Sequence, residues 1–129
     1  MLSDIEARTC SVLERGYLTR VERVHRLPRA QRQAMGTGRT GRVYRDASYE
    51  VPLLVELDSR LFHDSAGARD RDLDRDLLAQ VGGRLTTRLS WGQVFDRPCW
   101  TAGQVGVLLQ QRGWTGSPTP CGPGCSLGR

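Results

Sequence analysis

The residues best suited to chemistry are Asp46, Glu56, Asp58 and His63. Glu56 and Asp58 close an apolar run, Val51-Pro-Leu-Leu-Val-Glu-Leu-Asp58. Side chains alternate across a strand, so these carboxylates share one face while Leu53, Val55 and Leu57 take the other. Two carboxylates at the end of a buried strand are costly unless something neutralises them. A hard divalent cation, Mg2+ or Mn2+, suits such oxygens. The competing reading is that the strand simply ends there and both carboxylates face water. Asp46, in Val43-Tyr-Arg-Asp-Ala-Ser-Tyr-Glu50, is expected on the preceding strand. Antiparallel pairing through a short turn would set it beside Glu56 or Asp58. The alternative is an edge aspartate paired with Arg42 or Arg45. His63 follows just past the strand, where a neutral imidazole could serve as general base. A lone loop histidine is more often a surface residue. His25, at the end of the first helix, is expected to cap it.

The elements that must position these groups follow from periodicity. Leu13, Tyr17, Leu18, Val21 and Val24 recur at helical spacing, and Leu27-Pro28 ends that helix. Strands are expected near Gln31–Met35 and Arg42–Tyr49, with Gly36-Thr-Gly-Arg-Thr-Gly41 as the turn between them. Val51–Leu57 reads as a central buried strand with Pro52 at its beginning. A charged helix is expected over 66–81, with Leu73, Leu77, Leu78 and Val81 as its apolar stripe and Gly82-Gly83 as its stop. Arg84–Ser90 is a further strand. A last helix covers roughly 99–112, with Ala102, Val105, Leu108 and Leu109 inward. The fold class is therefore α/β: helix, three strands, helix, strand, helix, with a mixed sheet of about four strands between helices. Residues 1–10 read as a lead-in, 11–114 as one domain, and 115–129 as a flexible Gly/Pro-rich tail.

Composition bounds the function. The 129 residues suit one domain, and 38% hydrophobic with 26% charged residues makes it globular. The net charge is +5, and every cation is arginine. GC-rich coding explains much of that. Arginine forks also bind phosphate bidentately, so a nucleic-acid partner fits. No apolar run is long enough for a membrane span and no signal peptide is visible, which makes a cytoplasmic location the expectation. Cys10, Cys99, Cys121 and Cys125 do not form paired C-x2-C blocks, so a frayed end is expected at Cys121 and Cys125 in preference to a metal site or disulfide.

Tyr44-Arg-Asp46, Val55-Glu-Leu-Asp-Ser-Arg-Leu-Phe-His63, Arg69-Asp-Arg-Asp-Leu-Asp-Arg-Asp-Leu-Leu-Ala79 and Gly82-Gly-Arg-Leu-Thr-Thr-Arg-Leu-Ser-Trp91 resemble, in that order, an actinobacterial domain-of-unknown-function family. That family is related to the very-short-patch-repair endonucleases of the PD-(D/E)xK superfamily. The resemblance covers roughly residues 11–115. It implies a restriction-endonuclease-like core and a Mg2+-dependent DNA endonuclease. It implies that Asp46 binds the metal and that Glu56 is the (D/E) of the motif. Asp58 stands where the motif has lysine, and His63 matches the histidine used by the lysine-free repair branch. Glu14 matches a first-helix glutamate, and Arg75 a recurring Arg-Asp element. Glu14, Arg71, Arg75 and Arg88 are the supporting or nucleic-acid-binding candidates. Ser59 departs from the family's glycine. Longer members look like fusions to a winged-helix antitoxin domain. The alternative function is therefore a catalytically inactive nuclease-fold module that binds DNA or regulates a toxin–antitoxin or defence system.

Overall fold

A computed structural model describes residues 11–35, 44–58, 74, 77–78 and 81–127. Helix α1 is α-helical over 11–16 and π-helical over Tyr17–Arg23. Strands β1 (Gln31–Met35), β2 (Tyr44–Tyr49) and β3 (Leu53–Leu57) follow. Asp74, Leu77, Leu78 and Val81 are the described helical positions of α2. Strand β4 (Leu85–Leu89) leads into α3 (Trp91–Phe95) and α4 (Pro98–Gln111).

The sheet runs in the order β1-β2-β3-β4. β1, β2 and β3 form an antiparallel meander, and β4 pairs parallel to β3. A parallel pair needs a long crossover, and residues 58–84 supply it. Pro52 stands just ahead of β3, where its missing N–H costs nothing, and its carbonyl accepts from the Leu85 N–H at 2.9 Å. The result is a mixed α/β architecture.

One face of the sheet builds the core. Leu53, Val55 and Leu57 of β3, Ala47 and Tyr49 of β2, and Leu89 of β4 are buried against Leu13, Tyr17 and Val21 of α1 and Val94, Ala102, Val105 and Leu109 of α3 and α4. In α1 and the turn that ends it, the deepest side chains are Leu13, Tyr17, Val21 and His25, each at 0% exposure and spaced four residues apart. A spacing of four overshoots the 3.6-residue α turn. The wider π turn, closed by i→i+5 bonds, corrects that drift. It also explains why Val24, expected inward, is 46% exposed.

The structure departs from the expected pattern at the 66–81 stripe and after β4. Leu77, Leu78 and Val81 are 59%, 69% and 77% exposed, so this part of the expected stripe does not seal the core. Helices α1, α3 and α4 already fill the apolar face. The separate short α3 was not expected. Its signal is a capping box: the Ser90 Oγ accepts from the Gln93 N–H at 3.3 Å, and Gln93 Oε1 accepts from the Ser90 N–H at 2.9 Å. Pro98 then opens α4 at its first position, where proline fits.

The Gly/Pro-rich segment from residue 115, expected to be flexible, lies against the domain as far as Leu127. Gly106 of α4 approaches the Pro118 ring so closely that a Cβ there would overlap Cγ and lie 3.1 Å from Cδ. The Thr119 N–H donates to the His25 carbonyl at 2.7 Å. Among the described residues, no helix is long and apolar enough to cross a membrane.

Candidate functional site

Asp46 stands directly opposite Glu56 in the β2–β3 register, and Glu56 directly opposite Arg88 in the β3–β4 register. Directly paired residues share a face. Glu56 and Arg88 thus share the face opposite Val55 and Ala47, and the register sets Asp46 level with them on β2. Glu56 is 1% exposed. Its Oε2 lies 3.2 Å from the Arg88 guanidinium, whose side chain is 24% exposed. A charge-assisted bond of this kind offsets the cost of burying the carboxylate. Alternation puts Asp58 on the same face, one step past the strand end, where its backbone N–H donates to the Leu89 carbonyl at 3.0 Å. Ser48 continues this face, and its hydroxyl accepts from Arg84 at 2.8 Å.

The structure therefore brings Asp46, Glu56 and Arg88 into register, with Asp58 beside them. Glu14 is half-buried on α1, within the helix layer that covers the apolar face. Ser59, His63, Arg71 and Arg75 lie outside the described residues.

Two polar arrangements were not anticipated from the sequence. The first is a buried chain between α1 and the sheet. The Tyr17 and Tyr49 hydroxyls lie 2.6 Å apart, the Tyr49 hydroxyl donates to Glu22 Oε1 at 2.8 Å, and the Ala30 N–H donates to that same oxygen at 2.9 Å. Burial pushes the Glu22 carboxyl above its ordinary range, against the lowering effect of these bonds. Burial also drives both tyrosines upward, so they stay neutral and serve as donors. The signal for this chain was Glu22 itself, one position from the buried Val21 in a helix whose inner stripe is otherwise apolar.

The second arrangement joins distant parts of the chain. His25, Cys99, Cys121 and Cys125 each offer one donor atom, and these atoms all lie within 4.8 Å of one another. The Cys99 and Cys121 sulfurs are 3.5 Å apart, and Cys125 Sγ is 3.8 Å from His25 Nε2. His25 does bond the helix end as expected, through Nδ1 to the Val21 carbonyl at 2.9 Å. Its other nitrogen faces the thiols. A hydrogen bond from the Cys121 backbone N–H, with further ones from Leu127 and the neighbouring thiols, pulls Cys125 down to about 6. Burial pushes Cys99 up to about 11. These soft donors are not a magnesium set. No family model, curated protein or solved structure matches the chain.

Proposed function

We propose that this protein is a metal-dependent nuclease that hydrolyses phosphodiester bonds of DNA, on a restriction-endonuclease-like core related to the very-short-patch-repair endonucleases. The observation that carries the reading is the register that sets Asp46 opposite Glu56, with Glu56 buried to 1% exposure on the face away from the apolar core. The element order supports it: helix, antiparallel meander, a crossover with helical positions at 74, 77–78 and 81, then a parallel strand. That is the order such a core requires.

The donor set fits a hard cation. Asp46 and Glu56, with Asp58 at the strand end, would hold Mg2+ or Mn2+ through carboxylate oxygens. When bound, such an ion lowers the pKa of water and stabilises charge on the phosphoryl group. The chain's own residues do the rest. Arg88 fixes the Glu56 carboxylate across the sheet. His63 accepts the proton of the attacking water, and Arg71 and Arg75 anchor the phosphate backbone. Glu14 stands on α1, over the opposite face of the sheet, and takes no part in this reading. DNA is the proposed partner and the cytoplasm the proposed location.

One observation favours a second reading. Arg88 already answers the charge of Glu56, so the buried carboxylate has a cationic partner without any metal. On that reading the chain keeps the nuclease fold as a non-catalytic DNA-binding or regulatory module of a toxin–antitoxin or defence system. Purified protein incubated with supercoiled plasmid and mismatched duplexes separates the two. Nicking that requires Mg2+ or Mn2+, stops with EDTA and disappears in Asp46→Asn supports the enzyme. Duplex binding without cleavage under either metal supports the module and ends the catalytic reading.

A further inference from the structure

We propose that His25, Cys99, Cys121 and Cys125 form a structural zinc site that fastens the C-terminal segment to the domain. Three thiols and one imidazole converge from three places: the end of α1, the second residue of α4, and the loop Cys121-Gly-Pro-Gly-Cys125. Zinc takes such a set tetrahedrally, at about 2.3 Å to sulfur and 2.0–2.1 Å to nitrogen. Those bond lengths require donor–donor edges of roughly 3.5–3.8 Å. The observed edges of 3.5 Å between Cys99 and Cys121, and 3.8 Å between Cys125 and His25, already have that length.

The surroundings prepare each donor. A carbonyl can only accept, so the 2.9 Å contact with Val21 fixes the proton on His25 Nδ1 and leaves the Nε2 lone pair facing the sulfurs. Zinc-bound histidines are oriented by this kind of outer bond. The loop is turned for its task. The Cys125 N–H donates to the Gly122 carbonyl at 3.1 Å, and Gly124 takes the left-handed conformation at φ +82°. A disulfide would use only two of the four donors and would leave a thiol and an imidazole aimed at nothing.

Four protein donors fill the tetrahedral shell, so the ion has no open position for substrate. Its role is to hold the tail. The Thr119 N–H bond to the His25 carbonyl and the Pro118 contact with Gly106 lay the segment along α1 and α4, and the metal would close the clasp. This site is separate from the carboxylate face and uses a different class of metal.

The test is metal analysis of the full chain, purified under reducing conditions without a metal-chelating tag. About one zinc per chain is expected, with loss of at least about nine-tenths of it in Cys121→Ser/Cys125→Ser. These positions lie in the tail, and circular dichroism checks that the double variant stays folded. Cobalt titration into EDTA-treated wild type gives an independent readout. Intense tetrahedral d–d bands and thiolate-to-cobalt charge transfer, displaced by added zinc, are expected. Zinc far below stoichiometry together with an octahedral cobalt spectrum overturns the proposal. So does a Cys99–Cys121 disulfide in the reduced preparation, or full zinc retention in a folded Cys121→Ser/Cys125→Ser variant.

Discussion

Replacing Arg88 by methionine isolates what the carboxylate face requires. The substitution keeps an apolar stem and removes the guanidinium 3.2 Å from Glu56. Glu56 remains at 1% exposure with this cationic partner gone. Breaking a fully buried pair costs about 3–5 kcal/mol. Arg88 is 24% exposed, so solvent screens part of its field. The expected loss is therefore about 2–3 kcal/mol. With a urea slope of about 1–3 kcal/mol per molar, the unfolding midpoint should fall by roughly 1 M or more. Added Mg2+ should then act as the missing cation. At a hundred times its dissociation constant, a ligand specific to the folded state stabilises it by about 2.7 kcal/mol. Mg2+ should restore most of the midpoint in Arg88→Met and little of it in Arg88→Met/Asp46→Asn. The assay is urea unfolding followed by tryptophan fluorescence, with and without Mg2+. An unmoved midpoint in Arg88→Met refutes the ion-pair reasoning. Equal Mg2+ stabilisation in both variants refutes the assignment of Asp46 as a ligand.

Other consequences follow from the packing. Tyr49→Phe removes the hydroxyl between Tyr17 and Glu22, and should cost about 1–3 kcal/mol by thermal or urea unfolding, more than Tyr17→Phe at the end of the same chain. Burial raises the Glu22 carboxyl, so the fold favours its protonated form. That contribution is complete below the unfolded-state value and is lost as pH rises through the raised folded value. Glu22→Gln keeps an oxygen acceptor for Tyr49 and Ala30, so its stability should fall less than wild type between pH 4 and pH 8 (set by the ordinary carboxyl range) in parallel unfolding curves. Gly106→Ala should push Pro118 away from α4, and limited proteolysis should cut the tail faster than in wild type. Leu53→Ala, at 0% exposure, should cost about 2–5 kcal/mol, whereas Leu78→Gln, at 69% exposure, should stay within about 0.5 kcal/mol in the same unfolding measurement.

Much of the strand pattern was legible because strands carry local signals. The apolar run Leu53–Leu57, the leading Pro52 and the Thr-rich Leu85–Leu89 each announce themselves. That Asp46 would fall beside Glu56 or Asp58 was readable as well, since a tight turn brings adjacent strands together; which of the two it meets is settled by the register, at Glu56. The partner of Glu56 was not. Arg88 reaches it only through the parallel pairing of β4, across a crossover whose geometry no local pattern encodes. The first helix hid its inner face for a related reason: a 3.6-residue period predicts Val24 inward, and the π turn rotates His25 there instead. The His25–Cys99–Cys121–Cys125 cluster was missed because its donors are scattered along the chain and only tertiary packing gathers them. Its one sequence trace was Cys121-Gly-Pro-Gly-Cys125, a tight loop bracketed by two thiols.

The most direct measurement is an anomalous difference map from a Mn2+-soaked crystal. A manganese peak is expected about 2.0–2.6 Å from carboxylate oxygens of both Asp46 and Glu56. A map without density there, with Glu56 still paired to Arg88, contradicts the proposed nuclease site.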